Sequence, residues 1–409
     1  MNSARKWGIS TVLLGIAAVV VVCSIAVVFY EYGKESGSGA ALPQGAAAEP
    51  GASEIRGADA VALERARFHA PLGIAADDAG NVYVVDSGHN TMRKITPAGG
   101  VATLAGAGET DIFEEPHGIA TDGAGNVYVS DFRDNTVRKI TPEGEVILLA
   151  GASEVAGSDD GTETDANFNR PAGIAADRAG NVYVADSSNH TIRKITPEGA
   201  VTTLAGKAGV AGHADGTGAA ATFRMPFGIA IDNAGNVYVA DSFNHTIRRI
   251  TPAGVVSTLA GTAGVEGHAD GTGTAASFSS PGGLALDGAN NLYVADSGNN
   301  TIRKITPAGM VTTVAGAAKE SGYADGAAAG ARFNTPHSIA IDRAGNLYVT
   351  DMDNNAIRKI TPAGGVSTLA GNPDEQDEVQ GDDYGPDEAP GDGPAPNADN
   401  AEPTEGEGE

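Results

Sequence analysis

Residues 171–205 read PAGIAADRAGNVYVADSSNHTIRKITPEGAVTTLA, and this stretch decides the fold. It holds four short apolar segments, at residues 173–177, 181–186, 191–195 and 201–205. Short turns rich in Gly, Asp and Pro join the first segment to the second and the third to the fourth, as in β-hairpins. The stretch therefore predicts four antiparallel strands.

The same pattern occurs six times along the chain. Each copy follows a Phe-x-x-Pro sequence, and the six prolines are Pro71, Pro116, Pro171, Pro226, Pro281 and Pro336. Their spacing is 45 residues once and 55 residues four times, a period typical of propellers and repeat arrays. Because each sheet is apolar on both faces, it needs a neighbour on each side. We expect an all-β fold, a six-bladed β-propeller of four-stranded antiparallel blades over residues 58–371. The last repeat contains all four of its own strands, so the means of ring closure is left open.

Composition excludes several functions. The 409 residues include 52 acidic and 26 basic side chains, giving a formal net charge of −26. This balance argues against nucleic-acid binding, because little would neutralise phosphates. The single cysteine, Cys23, lies in an apolar run, so an internal disulfide and a thiol nucleophile in the soluble part are excluded. The sequence has no motif for a bound cofactor, and we predict none.

The N-terminal region predicts a membrane anchor. Residues 8–30 form an uncharged run of 23 residues, which is long enough for one transmembrane helix. Arg5 and Lys6 precede it, so we expect residues 1–7 to be cytoplasmic and the rest of the chain to be extracytoplasmic. The alternative is secretion after signal cleavage, although a signal peptide has a shorter apolar region.

Two further segments lack hydrophobic periodicity. Residues 31–57 are rich in Ala, Gly, Ser and Pro and predict a flexible linker. Residues 372–409 contain 14 acidic residues, six prolines and no Lys or Arg. This composition predicts a disordered acidic tail.

Positions that are the same in every repeat serve the blade rather than a ligand. An aspartate ends the second strand of each repeat, and an arginine lies on each third strand. The aspartates are Asp86, Asp131, Asp186, Asp241, Asp296 and Asp351, and the arginines are Arg93, Arg138, Arg193, Arg248, Arg303 and Arg358. Since a buried charge needs a partner, we expect ion pairs or turn hydrogen bonds within blades.

The repeats resemble those of the NHL family in their Pro-x-Gly-Ile-Ala-x-Asp, Gly-Asn-Val-Tyr-Val-Ala-Asp and Asn-x-x-Ile-Arg-Lys sequences. The resemblance covers about three quarters of the chain and implies a propeller. With the predicted anchor, it suggests a membrane-anchored bacterial type. Most members of the family bind proteins, peptides or small ligands. A minority, such as the peptidylglycine amidating lyases and propeller lactonases, are enzymes.

Residues that break the repeat are the candidates for an asymmetric site. They occur in the loops that join the second and third strands, and at the position after the repeat proline, which should face the central channel. These loops and the loops between blades share one face, which we call the loop-rich face. The bulky departures are His117, Phe132, Arg133, Phe227, Phe243, His337 and Met352. We predict that they form a binding site at the mouth of the channel.

The resemblance to the amidating lyases also implies a metal site. In those enzymes, histidines after the repeat proline of alternate blades hold zinc. The corresponding positions here are His117, Phe227 and His337, and a phenyl ring cannot bind zinc. A metal at His117 and His337 is therefore kept only as the alternative.

These observations favour a membrane-anchored extracytoplasmic propeller that binds a protein, peptide or glycan without catalysis. A lyase or hydrolase that uses the central channel is the alternative. A purely structural envelope protein is a third possibility. No nucleic-acid partner is expected.

Overall fold

The computed structural model describes residues 67–106 and 112–371. In this part of the chain, each of the six repeats forms its own antiparallel sheet. The six sheets are arranged as the blades of a propeller, with the first strands around the centre, and the predicted all-β class is confirmed. The predicted anchor at residues 8–30, the linker at 31–57 and the tail at 372–409 lie outside the described residues.

Blades one and two have four strands each. Their strands are β1 Pro71–Ala76, β2 Val82–Asp86, β3 Thr91–Ile95, β4 Val101–Ala105, β5 Pro116–Thr121, β6 Val127–Asp131, β7 Thr136–Ile140 and β8 Val146–Ala150.

Blades three to six have five strands each. Their strands are β9 Gly161–Thr162, β10 Pro171–Ala176, β11 Val182–Asp186, β12 Thr191–Ile195, β13 Ala200–Gly206, β14 Gly216–Thr217, β15 Pro226–Ile231, β16 Val237–Asp241, β17 Thr246–Ile250, β18 Val255–Ala260, β19 Gly271–Thr272, β20 Pro281–Leu286, β21 Leu292–Asp296, β22 Thr301–Ile305, β23 Met310–Ala315, β24 Gly326–Ala327, β25 Pro336–Ile341, β26 Leu347–Asp351, β27 Ala356–Ile360 and β28 Gly365–Gly371.

The connections of the described residues contain short 3-10 helices. These helices are Ser87–His89, Glu163–Asp165, Ser187–Asn189, Gly218–Ala220, Ser242–Asn244, Gly273–Ala275, Ser297–Asn299 and Met352–Asn354. No helix within residues 67–106 and 112–371 is long and apolar enough to cross a membrane.

The additional strands β9, β14, β19 and β24 were not predicted. Each belongs to the connection that precedes its blade and pairs with the outermost strand of that blade. In blade three, for example, Thr162 pairs with Ala200 and Gly161 pairs with Val201. Each blade of this kind therefore has its outer edge covered by its own connection.

The apolar core lies between neighbouring blades. Between blades two and three, Tyr128 and Val137 of blade two lie in one buried cluster with Phe168, Ile174 and Val182 of blade three. Phe168 is the phenylalanine of the Phe-x-x-Pro sequence, and its side chain is fully buried. The sequence motif thus supplies the ring that fills the space between two blades, where buried apolar area stabilises the fold.

The ring closes without an exchanged strand in the described residues. Blade six contacts blade one through a hydrogen bond from the Ala70 N–H to Asn355 Oδ1 at 2.9 Å and one from Thr350 Oγ1 to the Leu72 carbonyl at 2.8 Å. Blades two and three are joined in the same way, since the Arg170 N–H donates to Asn135 Oδ1 at 2.8 Å. Closure therefore uses the contacts that hold the other blades together.

The predicted ion pairs or turn hydrogen bonds within blades are found in all six blades, and in five of them the strand-three arginine binds the strand-two aspartate. The distances from Nη1 to Oδ2 are 3.2 Å in blade one and 2.9, 2.8, 2.8 and 2.7 Å in blades three to six. In blade two the ion pair joins Arg138 to Asp134 at 2.9 Å, and Asp131 instead accepts turn hydrogen bonds from the backbone N–H groups of Glu114 and Glu115. Asp134 stands where blades three to six have asparagine, so it offers the arginine a nearer carboxylate.

Candidate functional site

Each first strand begins at the loop-rich face, so the residue after the repeat proline lies near the mouth of the channel. The cavity at the centre of the ring is lined by His117, Phe227, Gly282 and His337 together with the glycines and branched aliphatic residues that follow them. The prediction that this position faces the channel is confirmed for these four residues.

Close approach of the first strands makes the channel narrow. A Cβ atom on Gly173 would lie 2.0 Å from the Phe227 carbonyl oxygen, and one on Gly228 would lie 2.1 Å from the Gly282 carbonyl oxygen. Only glycine permits backbones to come this near to each other. The resulting cavity has a volume of about 60 Å³, well below the roughly 300–1,000 Å³ of a typical small-molecule site. A ligand larger than a few water molecules must therefore bind at the mouth.

Four of the predicted site residues form one aromatic cluster at that mouth. The His117 ring stacks on Phe132, with 5.4 Å between centroids and an interplanar angle of 25°. The His117 centroid lies 5.6 Å from that of Phe227 and 5.0 Å from that of His337, which it meets edge-on. We call these four residues the aromatic cluster.

Both histidines of the cluster are neutral at pH 7. Burial lowers the pKa of His337 to about 4, although a hydrogen bond to the Leu72 backbone opposes the shift. Burial also lowers the pKa of His117 well below 6.5, and the nearby His337 lowers it further. A neutral imidazole has one N–H donor and one acceptor nitrogen. In the described residues, the buried Nδ1 of His337 has no hydrogen-bond partner.

The other predicted residues take different positions. The Arg133 side chain is 53% exposed, and its Nε lies 3.7 Å from Glu114. Phe243 is half-buried, and no ring contact within the described residues joins it to the aromatic cluster. Met352 is buried rather than exposed. The structure therefore brings together His117, Phe132, Phe227 and His337.

One residue at the mouth was missed by the sequence analysis. The guanidinium of Arg170 lies 5.7 Å from the centroid of Phe132, within the range of a cation–π contact. Arg170 is exposed and directly precedes Pro171. Burial raises the pKa of the neighbouring Glu115, and the charges of Arg133 and Arg170 oppose this rise. The sequence could have indicated Arg170, because the residue before the repeat proline is not basic in any other repeat.

The aromatic cluster does not fit the zinc site that the lyase resemblance implies. Of the three alternate positions, His117 and His337 offer ring nitrogens, whereas Phe227 offers no lone pair. Structural and catalytic zinc sites use three or four protein ligands. In the described part of the chain, no group of three or more His, Cys, Asp or Glu side chains could hold a metal ion.

Two protein-family descriptions match this chain. The NHL repeat matches residues 68–95, 113–140 and 168–195, which lie in the first three repeats. The teneurin NHL domain matches residues 211–377, which span the remaining three. Together they match at least three strands of every blade.

The curated relatives share part of their length with the chain. It is 36% identical over 154 residues to the protein SUPPRESSOR OF QUENCHING 1, chloroplastic, of Arabidopsis thaliana, a match that covers 35% of this chain and 14% of that protein. It is 34% identical over 151 residues to NHL repeat-containing protein 2 of Bos taurus, which covers 34% of this chain and 21% of that protein. The similarity thus spans about a fifth or less of these relatives.

A solved structure with the same fold is an auxiliary nutrient binding protein from Bacteroides thetaiotaomicron. It has a TM-score of 0.56 and 18% sequence identity, and the match covers 74% of this chain and 70% of that chain. At this identity, the similarity establishes the shared propeller fold.

Proposed function

The chain belongs to the NHL repeat family, and from that premise we propose that it is a non-catalytic binding protein whose ligand occupies the loop-rich mouth of the propeller. The observation that carries this proposal is the aromatic cluster. Six similar blades present six similar surfaces, so an asymmetric ligand is recognised where the repeat is broken. Four large departures from the repeat, contributed by blades two, four and six, meet there.

The chemistry of the mouth suggests the class of ligand. Phe132, Phe227 and His117 offer aromatic surface, and the neutral histidines add hydrogen-bonding nitrogens. Arg133 and Arg170 add two exposed cations beside Phe132. A protein, peptide or glycan with an apolar or ring face next to an anionic group fits this combination. The nutrient binding protein that shares the fold is consistent with a propeller in a binding role.

We also propose that the propeller is displayed outside the cell membrane. The support is the uncharged run at residues 8–30 with Arg5 and Lys6 before it, which favours a cytoplasmic N-terminus. Protease added to intact cells or spheroplasts should then degrade the propeller or the tail. Complete protection of both would show that the orientation is the reverse.

A lyase or hydrolase is the second candidate, favoured by the two neutral imidazoles with centroids 5.0 Å apart. Neutral histidines can act as general bases. The small volume of the channel weighs against it, since a substrate would have to react at the open mouth. If the wild type converts its ligand and His117→Gln or His337→Gln does not, the protein is a catalyst. That result would contradict a purely binding role.

The test of the binding proposal is a screen of peptide and glycan arrays with the full chain, followed by substitution. Phe132→Ala is expected to weaken binding of the selected ligand about tenfold or more, because it removes the ring that stacks on His117. Phe243→Ala is the control, since it removes a phenyl ring from the corresponding turn of blade four, one position further along and outside the cluster. Loss of binding on Arg178→Glu, which lies on the opposite face, with no effect of Phe132→Ala would contradict the proposal.

A further inference from the structure

The blades also differ from one another at their outer edges, apart from the channel mouth. In blades three to six, the outermost strand pairs with the two-residue strand from the preceding connection. In blade two, no fifth strand of the described residues pairs with β8. Unpaired edge strands present free backbone N–H and C=O groups to a possible partner.

The covered blades also hold a carboxylate at this edge. In blade four, Arg248 Nη2 donates to Asp215 Oδ1 at 2.7 Å, and the backbone N–H of Thr258 donates to Asp215 Oδ2 at 3.2 Å. Asp215 directly precedes the added strand β14. Blades three, five and six repeat the contact between the arginine and the aspartate, at 2.9, 2.8 and 2.7 Å.

Blade two has the groups that would bind such a carboxylate, but it lacks the carboxylate itself. Arg138 and Leu148 occupy the positions of Arg248 and Thr258, since each pair is matched across the third and fourth strands. Within the described residues, the Arg138 guanidinium binds one side chain, Asp134. The Arg138 side chain is 20% exposed, whereas Arg248 is fully buried.

The length of the connection explains why, among the described residues, no strand of the preceding connection covers the edge of blade two. Each added strand begins ten residues before the repeat proline, and that position in blade two is Gly106. A Cβ atom on Gly106 would lie 2.3 Å from the Asn90 carbonyl oxygen, so this residue still lies against blade one. The connection is too short to reach the outer edge of blade two and return.

The uncovered edge is also unusually apolar. Ile147 is 40% exposed, and Leu148 follows it on β8. Where blade two has this apolar pair, blade three has Thr202 and Thr203, and blade four has Ser257 and Thr258. Natural proteins commonly protect edges with charge or cover them, and an exposed apolar edge favours strand pairing.

We propose that the edge formed by Glu145 and the first three residues of β8 binds an extended segment of a partner protein by strand addition. The segment carries an aspartate or glutamate that reaches Arg138 and the Leu148 N–H, as Asp215 reaches the equivalent groups in blade four. It places small or apolar residues beside Ile147 and Leu148. Backbone pairing would supply the affinity, and the carboxylate would supply the register. This site is separate from the channel mouth and does not depend on its function.

The probe is a fluorescent synthetic peptide with the sequence of residues 211–220, Ala-Gly-His-Ala-Asp-Gly-Thr-Gly-Ala-Ala, which contains Asp215. We expect saturable binding to the full chain by fluorescence anisotropy. The peptide with Asn in place of its aspartate should bind at least tenfold more weakly. Hydrogen exchange of the unaltered protein should slow at residues 145–148 when the peptide binds. Equal binding of both peptides, or protection elsewhere alone, would overturn the proposal.

A second variant covers the edge in cis. Insertion of residues 209–218 after Gly108 gives the connection to blade two the length and Asp-Gly-Thr sequence of the connection to blade four. This variant should lose peptide binding at least tenfold. Unchanged peptide binding by the folded insertion variant would overturn the proposal.

Two other occupants would also overturn the choice of a partner protein. The acidic residues 372–409 contain an Asp392-Gly393 pair, and tenfold tighter peptide binding after their deletion would identify the chain's own tail. A dimer in analytical ultracentrifugation that the insertion converts to monomer would identify a second copy. A monomer with equal peptide affinity with or without the tail supports a separate partner.

Discussion

Arg303 and Asp296 bind each other inside blade five, with 2.8 Å between Nη1 and Oδ2 and with both side chains buried. Arg303 also donates through Nη2 to Asp270 at 2.8 Å. Burial raises the pKa of Asp296 to about 6, and hydrogen bonds from Asn299 and the Ser279 backbone and the charge of Arg303 oppose that rise. The aspartate is therefore ionised at pH 7 and depends on its arginine.

Removing this arginine should destabilise the propeller strongly. Arg303→Ala leaves Asp296 buried without its partner, and we expect a loss of about 3–5 kcal/mol in the free energy of unfolding. Urea denaturation followed by circular dichroism measures it. Arg138→Ala is the matched control and should cost clearly less, because Arg138 is partly exposed and Asp134 keeps hydrogen bonds from Thr136 and Ser153. Equal losses for the two variants would contradict the role assigned to burial.

Close packing around the channel predicts an effect of a single methyl group. Gly228→Ala places a Cβ atom 2.1 Å from the Gly282 carbonyl oxygen, so blades four and five must move apart. We expect a loss of about 1–3 kcal/mol or more in the free energy of unfolding, measured by urea denaturation. A Cβ atom on Gly123 would have no other atom within 4 Å, so Gly123→Ala should be nearly neutral.

The neutral histidines predict an acid-sensitive contribution to stability. Burial lowers the pKa of His337 from its ordinary value of 6.5 to about 4 in the folded protein. Between those pH values the unfolded chain binds protons that the folded chain does not, so stability falls as pH falls. The variant with both His117→Gln and His337→Gln should therefore lose less stability than the wild type between pH 7 and pH 4.5. Urea denaturation at each pH measures the difference.

The matched control for this pH effect uses histidines outside the cluster. His213 and His268 lie in the connections before blades four and five, away from the channel. Replacing both with Gln should leave the pH dependence of the wild type unchanged. A control variant that flattens the profile as much as the cluster variant would show that the effect is not local to the channel.

The acidic tail should contribute little to the stability of the propeller. All strands of blade six are complete at Gly371, and residues 372–409 contain no apolar run to bury. Deleting these residues is expected to leave the melting temperature nearly unchanged, since little apolar area is lost. A drop of many degrees in differential scanning calorimetry would mean that the tail docks on the domain.

The main architecture was readable from the sequence because its signals are local and repeated. The hairpin turns, the strand length and the period of the prolines each indicate the same blade. The two-residue strands such as Gly161–Thr162 were not readable, because their pairing with Ala200 and Val201 depends on long-range contact. A glycine-rich segment of this length looks like any other loop.

The candidate site was only partly predictable for a similar reason. The position after the repeat proline identified His117, Phe227 and His337, since the repeat itself shows which residues face the channel. The stacking of Phe132 on His117 depends on how the turn after β6 folds over β5, and the approach of Arg170 depends on how blades two and three meet. The sequence shows Asp134 where blades three to six have asparagine. That Asp134 replaces Asp131 as the partner of Arg138 could be seen only from the side-chain geometry.

The closure between blades six and one has a consequence for chain connectivity. Every blade is built from one continuous stretch, and the Ala70–Asn355 contact matches the contact between Arg170 and Asn135. No junction in the ring is therefore reserved for the chain ends. The ends could be joined by a linker and the chain reopened in another hairpin, so a circular permutant retains the same set of interfaces. The blade with which the chain begins can then be changed while the order of the blades around the ring stays the same.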